Sequence, residues 1–379
     1  MYAVWNSEKN CSCSRNRVSL GVFFYLGLLL TFFMGCQENN EKDELSSPSC
    51  EQYTGASDTK SGPGIAEPLD PFEQNSLLGR GVNLGNALEA PNEGEWGITL
   101  EEEFFDLIKN VGFNSVRIPI RWSAHTNIMS PFGIHPGFLN RVDWAVEQAL
   151  SRGLMAVINI HHYEKLMEDP DAHRKRYLAI WCQLADHYKN MPGELLFDLL
   201  NEPNTNLTPE LWNDLLVDAL SVIRETNPYR TLIIGTAQWG GLGALDDLSI
   251  SGEETNAIVS AHYYEPFQFT HQGAEWVSGS DPWLGTIWGS AQDYAAVEKD
   301  FDRLLSWSQE NNRPVRIGEF GAYSKADINS RVMWTAHVAR SAEERGFSWA
   351  YWEFAAGFGV YNPSSRSWNQ ELLESLISP

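Results

Sequence analysis

The chain has 379 residues, with 50 Asp and Glu against 27 Lys and Arg, and a formal net charge of −23. Phosphate contacts need clustered Lys and Arg, so this balance excludes nucleic acid as a partner and disfavours adhesion to anionic lipid headgroups. Hydrophobic residues make up 43%, enough for the core of one large domain or two small ones.

Arg15 and Arg17 precede an apolar run from Val18 to Met34, which ends at Gly35-Cys36. A charged start, an apolar middle and a small residue at the end form the pattern of an export signal. Gly before Cys resembles the bacterial lipoprotein cleavage site. Residues 1–35 then read as a signal peptide and Cys36 as a lipidated N-terminus, the only expected link to a membrane. Phe33 departs from the aliphatic residue usual there, and an uncleaved membrane anchor is the alternative. Either way the rest of the chain is exported, as a cell-envelope lipoprotein or in secreted form. Residues 36–71 are rich in Glu, Asn, Ser, Gly and Pro without periodicity, and read as a disordered tether. Of the cysteines (Cys11, Cys13, Cys36, Cys50, Cys182), Cys182 alone falls in patterned sequence. It reads as a buried small hydrophobe, and no disulfide framework is expected. No Cys/His spacing suits structural zinc.

From Phe72 onward apolar runs alternate with amphipathic segments. The runs are Leu77–Leu84, Ser115–Ile120, Met155–His161, Leu195–Leu200, Thr231–Thr236, Ile258–Tyr264, Val315–Phe320 and Ser348–Phe354. They are nearly continuous in hydrophobicity, as strands covered on both faces are. Helical patterns occupy Leu100–Asn110, Pro136–Arg152, Ala172–Lys189, Pro209–Thr226, Tyr294–Glu310, Ile328–Arg345 and Trp368–Ile377, several with a glycine just behind them. No long helix is expected between Trp239 and Ala257. Eight strand–helix units over residues 72–379 predict an α/β fold, a (β/α)8 TIM barrel, forming one catalytic domain. No Gly-x-Gly-x-x-Gly opens the first helix, which argues against a doubly wound sheet.

Function in such a barrel collects at the C-terminal strand ends. There the chain places Asn86 and Glu89, Arg117, His161 and His162, Asn201-Glu202-Pro203, His262 and Tyr264, Glu319, and Trp352-Glu353. Glu202 and Glu319 each follow an apolar run. As parallel strands of one barrel, the two runs bring both carboxyl groups to one mouth, and cleavage of a glycosidic bond requires such a pair. Of the 15 tryptophans, about half are expected as core filler. The others suit flat platforms for the apolar faces of sugar rings. Arg117 is either a partner that orients and ionises a catalytic carboxylate or a structural ion-pair residue. A metal on His161-His162 is disfavoured, because adjacent strand residues face opposite ways. His262 and Tyr264 alternate correctly to share one face. Glu353, beside Trp352, is expected to face outward.

The set Arg117, His161, Asn201-Glu202-Pro203, His262-x-Tyr264, Glu319 and Trp352 resembles glycoside hydrolase family 5, a retaining group of β-glycanases. Gly81–Gly97, Pro266–Trp276 and Trp349–Tyr361 resemble the branch found in thermophilic endoglucanases that also cleave mannan. The resemblance implies Glu319 as nucleophile, held ionised, and Glu202 as acid, then base. It implies Asn201 on the sugar 2-hydroxyl, His161 and His262 on hydroxyls and on the acid/base group, Tyr264 on the nucleophile, and Trp352 as the floor. Asn86, Glu89, His162, His271 and Trp276 are candidate substrate contacts; no cofactor or metal is implied. The activity so implied is hydrolysis of β-1,4-glucan and mannan by a monomer. A sugar-binding surface lipoprotein without turnover is the alternative, and the paired glutamates argue against it.

Overall fold

The computed structural model describes residues 49–54, 65 and 67–378. The export signal and Cys36 lie outside the described residues. Eight strands, each parallel to its neighbours, close into a barrel in sequence order: β1 (Arg80–Asn83), β2 (Ser115–Ile118), β3 (Met155–Asn159), β4 (Leu195–Asp198), β5 (Leu232–Gly235), β6 (Ala257–Tyr263), β7 (Val315–Phe320) and β8 (Ser348–Tyr351). The helices are α1 (Cys50–Thr54), α2 (Pro71–Leu78), α3 (Glu102–Val111), α4 (Pro136–Ser151), α5 (Glu164–Glu168), α6 (Pro170–Tyr188), α7 (Pro209–Arg224), α8 (Phe267–Thr270), α9 (Ala291–Asn311), α10 (Ile328–Glu344) and α11 (Gln370–Ile377). A small ribbon, β9 (Tyr361–Asn362) with β10 (Ser367–Trp368), follows β8.

Strand alternation divides the core in two. Val116, Ala156, Ile158, Phe197, Ile234, Val259 and Ile317 belong to the large cluster shared with the helices. Met155, Val157, Leu196, Ile233 and Ile258 form a separate cluster with Leu78. That second set fills the lower barrel interior, and α2 closes it from below. The helices start where local chemistry starts them: Thr208 caps α7 ahead of Pro209, and Ser290 with Asp293 forms a capping box on α9. Trp122, Trp181, Trp212, Trp334 and Trp349 are fully buried core filler, whereas Trp239 is largely and Trp276 half exposed.

The first strand is shorter than its apolar run. Asp70 caps α2, Pro71 occupies its first turn and Gly79, at φ 45°, ends it, so Leu77 and Leu78 are helical. Between β5 and β6 lies a short turn of 3-10 helix, Leu242–Ala244.

Two expectations are corrected. Cys182 is not a free thiol: it is bonded to Cys50 across a sequence separation of 132. Nor are residues 36–71 uniformly a tether, because 50–54 form α1 and Pro71 opens α2. The Cys50 N–H donates to Glu225 Oε1 at 3.1 Å, and its Sγ lies 3.5 Å from the Val222 carbonyl oxygen. A helix of five residues does not hold its shape alone in water; the cross-link to α6 and these contacts order it. So short a segment carries no periodicity to read.

Candidate active site

Arg117 organises the mouth of the barrel. It is 1% exposed. Its Nε donates to Asp198 Oδ2 at 2.8 Å, Nη1 to Asn83 Oδ1 at 2.9 Å and Glu319 Oε1 at 2.6 Å, and Nη2 to Asn201 Oδ1 at 2.8 Å. Burial works against its charge, but Asp198 and Glu319 outweigh that and hold it firmly protonated. Because the carbonyl of the Asn201 amide takes the guanidinium, its N–H groups are kept as donors. Asn83 is fixed in turn by donating to the carbonyls of Gly318, Ala350 and Tyr351.

Glu319 faces the same interior through a bulge. Ala261 pairs with Ile317 but His262 pairs with Glu319, so Gly318 is the extra residue on β7. A side chain at Gly318 would run into Ser260 Oγ. Glu319 Oε2 accepts from the Tyr264 hydroxyl at 2.9 Å and lies 3.6 Å from His262 Nδ1. Burial pushes the Glu319 carboxyl up, against the pull of His262 and Arg117. Arg117 draws the carboxyl down, as expected, but burial outweighs it; the same guanidinium also serves Asp198.

Glu202 sits just past β4 at φ 47°, a left-handed conformation unusual for a residue with a side chain. The turn is pinned by Asn201 N–H on the Ile160 carbonyl at 2.9 Å and by the Asn204 amide on the Glu202 carbonyl at 2.7 Å. Its Oε1 is 2.7 Å from His262 Nδ1. Burial opposes charge on His262, but the Glu319 and Glu202 carboxylates outweigh it and pull the imidazole up. One ligand atom each from Glu202, His262 and Glu319 lie within 4.8 Å of one another. That trio is also the group among the described residues spaced to suit a metal ion; His161 and His162 are not in it.

The other predicted residues separate into those at the cleft and those beneath it. His161 is parallel to Trp352, ring centroids 5.8 Å apart. Its Nδ1 accepts from the Asn159 amide at 3.0 Å, while the Asn159 carbonyl takes Ile120 N–H. That orientation leaves the His161 proton on Nε2. Burial holds His161 far below the usual imidazole range, so it is neutral. It makes no bond to Glu202, contrary to one of its two expected roles. His162 lies edge-on to Trp96, with ring centroids 5.3 Å apart. His271 stacks on Phe267, with centroids 4.1 Å apart, and lies 6.5 Å from half-exposed Trp276. Burial pushes the His271 imidazole down to about 4.

Glu89 and Glu353 overturn their expectations. Glu89 is fully buried and braces its own turn, accepting from the N–H groups of Asn86 and Ala87. It fixes Asn86, at φ 63°, rather than meeting a sugar. Glu353 faces inward, 1% exposed, with Oε1 accepting from Phe358 N–H at 3.2 Å. Burial raises each of these carboxyls to about 8. Gly85 is required beside them, since a Cβ there would meet Glu353 Oε2 at 2.6 Å and the Trp352 ring at 3.1 Å. The sequence reading missed Asp198, Asn83 and Trp239. Asp198 was visible as a lone charge in an apolar run. Trp239 is 63% exposed, with its N–H on the Pro203 carbonyl at 3.2 Å. The next residue, Gly240, adjoins His262 and Glu202, so Trp239 belongs to the stretch of backbone beside the Glu202 turn.

A carboxyl pair at the rim of a β/α barrel, with a fixed amide and an aromatic floor, is a site of the glycoside hydrolase class. The family profile described as Cellulase (glycosyl hydrolase family 5) matches residues 79–357. The chain belongs to that family. It is 39% identical over 318 residues to Endoglucanase H of Acetivibrio thermocellus, covering 82% of this chain and 34% of that protein; it thus spans about a third of that relative's length. Crystal structures of Thermotoga maritima Cel5A with mannotriose and with cellobiose match at TM-score 0.81. They are 56% and 57% identical, each covering 81% of this chain and 100% of the other.

Proposed function

We propose that the chain is an endo-acting β-1,4-glucanase, also active on mannan, that works by double displacement. The observation that carries this reading is the closeness of the two carboxyl groups, oxygen to oxygen within 4.8 Å. Retaining enzymes hold their pair about 5–5.5 Å apart, and inverting enzymes leave about 6.5–9.5 Å for a water. The similarity to an enzyme crystallised with both mannotriose and cellobiose supports the choice of sugars.

In the first step Glu202 gives a proton to the leaving glycosidic oxygen. Glu319 attacks the anomeric carbon, forming a glycosyl ester as the C–O bond breaks. In the second, Glu202 takes a proton from water, the oxygen of that water displaces Glu319, and the ester opens. Asn201 N–H groups hold the 2-hydroxyl, a contact that tightens in the transition state. Tyr264 and Arg117 orient Glu319, and His262 shares its proton with Glu202 across 2.7 Å. Trp352 forms the floor, with His161 donating from Nε2. Asn86, His162, His271 and Trp276 line the flanks, and exposed Trp239 lies on the side of the acid, where the leaving chain departs. We further propose an exported monomer, tethered through Cys36. The Cys50–Cys182 disulfide supports export, since such bonds persist in oxidising compartments.

Glu319→Ala tests the assignment. Turnover of soluble glucan is expected to fall by well over a thousandfold, and azide is expected to restore cleavage of an activated glycoside with inverted product. Activity within tenfold of the parent, or rescue with retained configuration, would overturn it.

A further inference from the structure

β7 carries a second buried cation, Arg316, which the site above does not use. The strand register fixes its level. Ile258 of β6 lies in the floor cluster and His262 of β6 at Glu202. Ser260 lies between them on the same face. Arg316 pairs with Ser260 on one side and Ser348 on the other, while Glu319 pairs with His262. Arg316 therefore lies one layer beneath Glu319 and above the apolar floor. It is 1% exposed, and its Nε, Nη1 and Nη2 have no hydrogen-bond partner among the described residues. An unpaired buried guanidinium is costly, so its presence requires an account.

Charge balance supplies one. Downward from the mouth run Glu319, Arg117 and Asp198, joined by ion pairs of 2.6 and 2.8 Å. Two carboxylates share one guanidinium, which leaves a net negative charge in the interior. A charge of that sign beside Glu319 favours its protonated, inert form. We propose that Arg316 is a positioning residue for the nucleophile: it balances Asp198 electrostatically, so that the charge of Arg117 serves Glu319 and keeps it ionised in the working range. Burial draws the Arg316 guanidinium down to about 9, with Arg117 opposing and Asp198 favouring its charge, so it stays cationic at and below neutral pH. The other titratable groups around Glu319 are Glu202 from β4, His262 and Tyr264 from β6, His161 after β3, Glu353 after β8 and Glu89 after β1.

The inference rests on Glu319 being the nucleophile. The test is the pH profile of kcat/KM on an aryl β-cellobioside. Arg316→Met is expected to move the acidic limb up by about one pH unit, a loss of about tenfold on that limb. The melting temperature should hold or rise, because Met can join the floor cluster. Arg316→Lys is expected to keep the parent's limb, and Arg316→Gln to behave like the Met variant and to replace it should Met not fold. An acidic limb in Arg316→Met or Arg316→Gln superimposed on the parent's overturns the proposal. So does a Lys variant shifted as far as the Met one. Azide rescue of Glu319→Ala separates the failures: if rescue fails, the nucleophile assignment falls, whereas an unmoved limb beside a successful rescue removes Arg316 alone.

Discussion

Cutting the Cys50–Cys182 bond should lower stability without touching catalysis. The bond closes a loop with a sequence separation of 132. In the chain-entropy account, opening a loop of that length returns about 17 cal/mol/K to the unfolded chain, or about 5 kcal/mol at 25 °C. A domain of about 300 residues unfolds with an entropy of about 0.6 kcal/mol/K, so the melting temperature should fall by up to about 8 °C. The folded form recovers part of this, because α1 has five residues and frays once released. A fall of about 4–8 °C is therefore expected for Cys50→Ser, in which the bond is absent. Reduction of the parent should reproduce it. Calorimetry gives the melting temperatures, and thiol counting by mass confirms the broken bond. Cys182 lies late in α6, which runs away from the rim, so kcat/KM at 25 °C should match the parent's. A shift under about 1 °C with the bond fully absent would refute the reasoning.

Tyr264→Phe removes one hydrogen bond to the Glu319 carboxyl at 2.9 Å. A bond to a charged group contributes about 1.5–3 kcal/mol, so kcat/KM should fall by about 10- to 100-fold with little change in melting temperature. Initial rates across substrate concentrations check this, and an unchanged kcat/KM would remove Tyr264 from the orienting set. Stability should also depend on pH. Burial raises Glu353 to about 8 from an ordinary 4.5, so the folded state binds more protons than the unfolded chain between those values. Its contribution to stability is fully present below about 4.5 and is lost as pH rises towards 8. Glu353→Gln keeps an acceptor for Phe358 N–H and cannot ionise. The gap in unfolding free energy between variant and parent should therefore grow between pH 5 and pH 8, by on the order of 1–4 kcal/mol in favour of Gln. Denaturant melts at both values measure this; parallel stabilities would show that Glu353 does not titrate in that window.

The two carboxyls at the barrel mouth were legible in the sequence because a barrel concentrates contrast. Leu195–Leu200 and Val315–Gly318 are apolar or small at nearly every position, and Glu202 and Glu319 stand where that pattern breaks. Residue type and location together narrow the chemistry to a carboxyl pair acting at one mouth. The rule failed where its premise ended. Alternation placed Glu353 outward, but the β8 ladder stops at Tyr351, and beyond it nothing obliges successive side chains to face opposite ways. Glu89 is in a turn, where a carboxylate is equally able to face solvent or to take backbone N–H groups, and Asn86 and Ala87 decided it. Cys50 and Cys182 show no local sign of each other, because their meeting depends on where α6 lies.

Asp198 and Arg316 are the more instructive omissions. Each interrupts an apolar strand with a charge, which a strand buried on both faces does not tolerate unless another strand answers it. The answer to Asp198 comes from Arg117, distant in sequence but 2.8 Å away across the barrel. A lone charge inside a predicted central strand therefore has a physical meaning that can be read early: its partner must lie on another strand facing the same interior. Applied here, that rule would have joined Arg117, Asp198 and Glu319 into one column and left Arg316 as the residue requiring explanation. Glu319, the proposed nucleophile, then ceases to be an isolated acid held by one arginine. It becomes the top of a chain of alternating charges, and on the proposed mechanism the layer beneath it bears on its ionisation alongside the groups that touch it.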